Sequence, residues 1–360
     1  MFLSELKIRG FKNFEDISLQ FRKKINCFIG PNGIGKTNIL DAIYHLSFGK
    51  SLHSMTRDCV NFDKDVFFVE GSFSDREYFE KITCTFQRDK NKKTLLRNEK
   101  PYKKITTHIG LIPTVVVSPI DRDLIIGSSA DRRKFIDGII SQISIEFLEC
   151  LMNYKRALAQ RNAYLNRTKI EGLIDRTIIE SFDQQLIRYG QPLYRKRNRF
   201  IRKFVPLFIK HYLHICSDAE SVNISYQSHL SEDTIENLLV NSIDKDIIRG
   251  YTTRGVHRDD LNFYLNEKPL KKYASQGQQK SFLAAMKFAQ FEFLKEATNK
   301  SPLLLLDDAF DRLDQSRVRQ IINLIDQNQF SQIFLTDTHI NRTEDTLGKI
   351  SANYEIFQLD

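Results

Sequence analysis

The chain has no tryptophan, and only four methionines and eight prolines among 360 residues. Its aromatic surface rests on 27 Phe and 13 Tyr, rings expected mostly in the core. Cysteine is also scarce. Cys27, Cys59, Cys84, Cys150 and Cys216 are odd in number and far apart, with no Cys-x-x-Cys and no Cys/His metal spacing. That pattern excludes a disulfide framework and a zinc ribbon, and points to a reduced, cytoplasmic setting. No apolar run approaches the ~20 residues a membrane helix needs. Glu5 and Lys7 interrupt the first turns where a secretory leader needs an apolar stretch, so no signal peptide is expected. Internal repeats and low-complexity tracts are missing as well.

What is present is positive charge and a phosphate-binding motif. Lys and Arg total 54 against 45 Asp and Glu, a formal net charge of +9. The excess permits nucleic-acid contact without proving it. A hydrophobic content of 41% and a charged content of 28% describe a globular chain, long enough for two domain-sized units. Gly30-Pro31-Asn32-Gly33-Ile34-Gly35-Lys36-Thr37 fits G-x-x-x-x-G-K-[ST]. Ile25 to Ile29 before it has the length and character of a buried strand. Ile39, Leu40, Ile43 and Leu46 after it recur at helical spacing. Strand, glycine loop and helix N-terminus together predict a P-loop. Its backbone N–H groups would cradle phosphates, Lys36 would reach the β and γ phosphates, and the Thr37 hydroxyl would ligate Mg²⁺. ATP and Mg²⁺ are therefore the expected cofactors.

Leu303 to Leu306, ending in Asp307-Asp308, reads as a central strand with carboxylates at its C-terminal edge, where α/β sites form. Asp307 is placed to hold Mg²⁺ and Asp308 to orient or deprotonate the attacking water. Lys36, Asp307 and Asp308 are the candidate catalytic residues, and Thr37 and Asp307 the candidate metal ligands. Ala274-Ser275-Gln276-Gly277-Gln278 opens a long apolar helix. Exposed amides, a hydroxyl and the helix dipole make an anion site there.

Strand patterns run from Leu3 to Arg9, Ile17 to Phe21, Val66 to Phe73, Tyr78 to Arg88, Thr94 to Asn98 and Thr114 to Val117. Helical spacing takes over from Ser128 to Lys210, and strands return at Val222 to Tyr226, Leu261 to Leu265 and Ser331 to Thr336. Sheet elements at both ends predict one composite α/β domain, 1–118 with 250–360, carrying a mainly helical inserted lobe, 119–249.

Several segments together resemble the RecF family, bacterial recombination-mediator ATPases related to SMC heads. The resemblance rests on Gly30 to Tyr44, Asp131 to Asp137, Tyr154 with Gln160-Arg161-Asn162, and His257-Arg258-Asp259-Asp260-Leu261. It also rests on Ala274 to Lys280, which is similar to the ABC-type signature, and on Leu304 to Asp308 with Leu313-Asp314 as a D-loop. The match runs nearly end to end. A compact helical lobe stands where coiled-coil relatives insert heptads.

The resemblance implies an ABC-type, SMC-head-like P-loop ATPase with an inserted helical lobe. It implies an ATP-dependent, head-to-tail homodimer, in which Ser275, Gly277 and Gln278 of one copy meet the γ-phosphate on the other copy's Gly30, Pro31, Asn32, Gly33, Ile34, Gly35, Lys36 and Thr37. It further implies binding to single-stranded and gapped duplex DNA, recombinase loading with RecO/RecR-like partners, support of SOS induction, and a weak ATPase. Asp308 stands where most ABC enzymes carry the longer Glu, which implies slow turnover. The sequence departs from the family at Pro119-Ile120-Asp121, Val256 and Phe310-Asp311-Arg312. It offers no clear Q-loop glutamine and leaves both Thr338 and His339 open as the switch residue.

Basic residues suited to salt-sensitive, sequence-blind phosphate contacts are Lys50 and Arg57 after the P-loop helix, Arg132 and Arg133 at the start of the helical lobe, and Arg195, Arg197 and Arg199 within it. The alternatives are a transporter-type ABC subunit, a nucleotide kinase and a nuclease-linked ATPase. The basic lobe and the His257–Asp260 run speak against the first. The Ser275–Gln278 segment speaks against the kinase, and the lack of an extra acid cluster against the nuclease.

Overall fold

A computed structural model describes residues 1–75, 78–172, 174–216, 220–308, 331–348 and 353–359. Two compact units emerge, Met1–Asp121 with Met286–Asp360, and Arg122–Ala285. The return to the first unit falls at Met286 rather than at 250. Strand pairing is the reason: β9 (Val222–Gln227) and β10 (Asp260–Leu265) run antiparallel along their full length, which keeps the intervening chain in the second unit.

The first unit holds two sheets. β1 (Phe2–Phe11), β2 (Phe14–Gln20), β4 (Val66–Asp75), β5 (Tyr78–Gln87), β6 (Lys92–Arg97) and β7 (Lys100–Pro101) form one, in the order β2-β1-β4-β5-β6-β7 with antiparallel neighbours. β3 (Ile25–Ile29), β8 (Thr114–Val117), β12 (Leu303–Leu306), β13 (Gln332–Asp337) and β14 (Tyr354–Gln358) form the other, a parallel sheet in the order β14-β3-β13-β12-β8. Parallel strands covered on both faces need unbroken burial. Every residue of β3, β12 and β13 is accordingly buried. Helix α1 (Lys36–Phe48) follows the glycine loop, and its Ile39, Leu40, Ile43 and Leu46 join a core with Leu6, Ile8, Phe67, Val69, Leu305 and Phe334.

The second unit contains α2 (Asp123–Ile126), α3 (Ser129–Ile143), α4 (Ile145–Glu171), α5 (Arg176–Ile215), α6 (Ile235–Arg249), α7 (Leu270–Tyr273) and a small sheet ordered β11 (Lys268–Pro269), β10, β9. Helix α8 (Gln276–Thr298) starts here and runs into the first unit, where α9 (Ile340–Leu347) follows β13. A capping box starts α3, with Ser128 and Asp131 satisfying each other's backbone amides.

The interior of the second unit is held by charge as well as by apolar packing. Arg197 on α5 is 2% exposed. It grips both Asp137 oxygens at 2.9 Å, and its remaining nitrogen donates to the Val256 carbonyl and to Asp259, each at 2.7 Å. Arg161 on α4 is fully buried, donating to Asp183 at 2.6 Å, Asp246 at 2.7 Å and the Thr252 hydroxyl at 2.8 Å.

Two histidines, one per unit, sit between a tyrosine hydroxyl and a backbone carbonyl. His257 faces Tyr154 Oη at 2.9 Å and Thr252 O at 3.0 Å, and His108 faces Tyr102 Oη at 2.9 Å and Leu46 O at 2.7 Å. A carbonyl only accepts, so Nε2 carries the proton in each and Nδ1 receives the tyrosine O–H. Burial pushes both pKa values down to about 4. The unfolded chain takes up these protons near pH 6.5, the folded chain only near pH 4. Stability is therefore complete above about pH 6.5 and falls as the pH drops towards 4, by up to ~1.4 kcal/mol per pH unit for each histidine. Thermal unfolding between pH 7 and 4 checks this, with His108→Gln or His257→Gln expected to flatten the slope.

Candidate nucleotide-binding site

The sheet order puts β13 between the P-loop strand β3 and the acidic edge of β12, and one side chain from β13 closes the gap. The Thr37 hydroxyl donates to Asp307 Oδ1 at 2.8 Å. The Thr336 hydroxyl donates to the same oxygen at 2.9 Å and accepts from the Asp308 N–H at 2.9 Å. Asp307 is buried, while Asp308 is exposed with φ +48°. The strand thus ends with one carboxylate buried and the next, on a left-handed residue, exposed. Lys36, 5% exposed, lays its ammonium on the loop's own carbonyls, Gly30 O at 2.7 Å and Pro31 O at 2.9 Å. The hydroxyl of Thr37 and the carboxylate of Asp307 are hard oxygen donors side by side, a set that suits Mg²⁺.

Asn13 braces the loop from outside. In the turn between β1 and β2 its amide donates to Ile34 O at 2.7 Å, and its carbonyl accepts from Asn38 on α1 at 2.7 Å. Glycine at position 35 makes this approach possible. Gly33 and Gly35 have φ of +86° and +113°, and a Cβ on Gly35 would lie 2.6 Å from Asn13 Nδ2 and 2.8 Å from the Phe14 ring. Gly35→Ala should destabilise the loop by roughly 1–3 kcal/mol and lower ATP affinity. Calorimetric titration of ATP checks it, and unchanged affinity would show that Asn13 and Gly35 do not shape the nucleotide site.

Lys12, beside Asn13, pairs with Asp41 on α1 at 2.6 Å. Asp41 also accepts from Ser51 Oγ at 2.7 Å and Leu52 N at 2.6 Å, tying the basic loop to the P-loop helix. Burial raises the Asp41 pKa, but the Lys12 ammonium and the other donors outweigh it and hold the carboxyl below its ordinary value. Donor atoms of Asp41, His45 and Cys59 lie within 4.8 Å of one another. The Asp41 member of this group is already paired with the Lys12 ammonium.

In the second unit, Ser275 and Gln278 form a capping box at the start of α8. Ser275 N donates to Gln278 Oε1 at 2.8 Å, and Gln278 N donates to Ser275 Oγ at 3.2 Å. Oγ accepts here, and its hydroxyl retains one proton to donate. Ser275 is exposed, and the Gln276 and Gly277 amides follow it on the first turn.

A sequence model described as the RecF/RecN/SMC N-terminal domain matches residues 2–358. The "DNA replication and repair protein RecF" of Flavobacterium johnsoniae is 42% identical over 360 residues, covering 100% of both chains. The chain belongs to the RecF family. A solved structure described as the recombination mediator protein RecF-ATP in the RecFOR pathway superposes with a TM-score of 0.88 at 29% identity, covering 99% of this chain and 95% of that one. An SMC head domain from Pyrococcus furiosus, solved with an extended coiled coil and the C-terminal domain of ScpA, shares the fold at a TM-score of 0.57 and 17% identity, covering 100% of this chain and 94% of that one. The fold is thus the ABC-type, SMC-head-like ATPase fold that the sequence led us to expect.

Several residues of the segments that carry the RecF resemblance are structural: Asp137, Tyr154, Arg161 and Asp259 are buried in the second unit, and His257 is hydrogen-bonded between Tyr154 and Thr252. Among the basic residues expected at DNA, Lys50, Arg57, Arg195 and Arg199 are exposed. Arg197 is corrected: it is buried between Asp137 and Asp259 and is out of reach of a phosphate. Arg132 and Arg133 are engaged internally. Arg132 forks onto Asp260 at 2.6 and 3.0 Å, and Arg133 donates to Asp259 O at 2.6 Å.

After β8, Asp121 accepts from Ser118 N at 2.8 Å and pairs with Lys287 at 2.5 Å. His339 is exposed at the start of α9, while Thr338 N donates to Asp337 at 2.7 Å. Phe310-Asp311-Arg312 and the D-loop pair Leu313-Asp314 lie outside the described residues. Asn13 and Thr336 went unseen in the sequence, because a single polar residue in a turn or at a strand end carries no motif.

Proposed function

We propose that this RecF-family chain is an ATP-dependent DNA-binding ATPase of recombinational repair and replication restart. The Thr37–Asp307 contact at 2.8 Å carries the reading, because it joins the P-loop to the acid that a hydrolytic site needs. ATP would lie along Gly30 to Thr37, with Lys36 exchanging the Gly30 and Pro31 carbonyls for phosphate oxygens. Thr37 and Asp307 would hold Mg²⁺, which would supply charge neutralisation at the phosphates. Asp308, turned out from the strand, would orient the attacking water. Its short side chain is consistent with slow turnover.

Ser275, Gly277 and Gln278 lie on the second unit, and the P-loop on the first. A head-to-tail homodimer would bring each signature to the other copy's γ-phosphate. Closure would clamp DNA at a single-strand/double-strand gap, help load recombinase with RecO/RecR-like mediators, and so support SOS induction. Hydrolysis would release the clamp. Lys50, Arg57, Arg195 and Arg199 are the exposed residues best suited to phosphate contact.

Fluorescence anisotropy of a gapped duplex, with and without ATP and Mg²⁺, tests this. ATP should tighten binding by wild type and have no effect on Ser275→Arg, whose bulk and length block the partner's phosphate. Equal response in both proteins would overturn the sandwich dimer.

A further inference from the structure

The signature's capping box does not stand alone. While Gln278 Oε1 accepts from Ser275 N, Gln278 Nε2 donates to Glu220 Oε1 at 2.6 Å. The other Glu220 oxygen accepts from Tyr212 Oη at 2.5 Å. Tyr212 is fully buried and lies against Phe208 and against Phe282 of α8, at ring separations of 6.2 and 6.3 Å. A rigid aromatic anchor thus holds a carboxylate, and the carboxylate holds the amide that completes the cap. All of these residues belong to the second unit.

The direction of each bond matters. A Gln side chain at this position has two rotamer-accessible duties. Its oxygen either serves the Ser275 amide or turns to solvent, and its NH₂ group is the opposite end of the same plane. Glu220 accepts only, so it fixes the NH₂ end and thereby aims the oxygen at Ser275 N. With that amide satisfied and Ser275 Oγ accepting from Gln278 N, the anion-facing donors are the Ser275 O–H and the first-turn amides of Gln276 and Gly277. A preorganised set of donors costs less to bind a phosphate than a set that must reorient.

We propose that Glu220 is a positioning residue for the signature: it orients Gln278 so that Ser275 and the first turn of α8 meet the γ-phosphate of a second copy's ATP. The inference rests on the head-to-tail reading above. Glu220 acts through Gln278 and touches no substrate.

The test is ATP-dependent self-association of the full-length chain, followed by sedimentation velocity for wild type, Glu220→Ala, Glu220→Gln, Gln278→Ala and the Glu220→Ala/Gln278→Ala double variant. ATP binding by each variant at monomeric dilution confirms that the P-loop unit is folded. Glu220→Ala is expected to weaken association by about 10-fold, the effect of losing one charge-assisted hydrogen bond. Glu220→Gln keeps an acceptor oxygen and should stay within about twofold of wild type. In the Gln278→Ala background, Glu220→Ala should add nothing, because residues acting through one another are not additive.

Additive losses, or Glu220→Ala associating as well as or better than wild type, would overturn the positioning role while leaving the dimer intact. No ATP-dependent association in wild type would overturn the dimer itself, and the positioning role with it.

Discussion

Lys36→Ala is expected to weaken ATP binding by on the order of 10²–10⁴-fold, the loss of two charge-assisted hydrogen bonds of ~1.5–3 kcal/mol each at ~1.4 kcal/mol per decade. The geometry explains why the loss should be so large. Lys36 is 5% exposed and its ammonium is bonded to Gly30 O and Pro31 O, so it waits in the loop largely removed from water. Phosphate oxygens would replace two neutral carbonyls with charged acceptors. Alanine also leaves those two carbonyls without the Lys36 donor, and the apo loop should loosen. Titration of a fluorescent ATP analogue measures the affinity. A change of less than about tenfold would mean that the backbone amides carry the binding and that Lys36 acts later, in the chemical step. DNA binding in the absence of nucleotide should stay at the wild-type level, because Lys36 faces the loop and not the exposed basic residues.

The candidate nucleotide site was largely legible in the sequence because its backbone geometry demands particular residues. Positive φ at Gly33 and Gly35 leaves glycine as the unstrained choice, and glycines at fixed spacing before Lys-Thr are visible as letters. Four leucines before Asp307 are visible for a related reason: a strand buried on both faces favours a continuous apolar run. The partners of those residues were not legible. Asn13 reaches Ile34, and Thr336 reaches Asp307, across sequence separations that no local pattern reports. The second boundary of the inserted unit was misplaced for the same reason. Pairing of β10 with β9 is a long-range fact, and it outweighs the change of texture near 250. The basic stretch of α5 shows the limit most sharply. Arg195, Arg197 and Arg199 look equivalent as letters, yet helical geometry turns Arg197 to the opposite side. There it finds Asp137 and Asp259, from elements on either side of α5 in the chain.

That difference yields a large expected effect on stability. Arg197→Ala should destabilise the fold by about 3–5 kcal/mol, since removing one partner leaves buried charge uncompensated. Two carboxylates are involved. Asp137 is 5% exposed and would lose both of its bonds to the guanidinium, while Asp259, 1% exposed, would lose its only bond to that group and keep the Tyr226 hydroxyl. Burial already raises the Asp259 pKa, with the Arg197 guanidinium the foremost influence opposing it. Without the guanidinium this carboxyl should protonate more readily still, so the variant's deficit should shrink as the pH falls. Arg197→Lys should recover only part of the stability, because an ammonium does not reproduce the planar fork that Asp137 receives. Urea unfolding followed by circular dichroism measures both variants. Arg195→Ala and Arg199→Ala, by contrast, should leave the unfolding midpoint in place and lower the salt dependence of DNA binding, by a slope of about 0.9 for each phosphate that is no longer neutralised. If Arg197→Ala unfolds like wild type and instead shares that salt effect, the arginine works at the surface and the buried network is not its role.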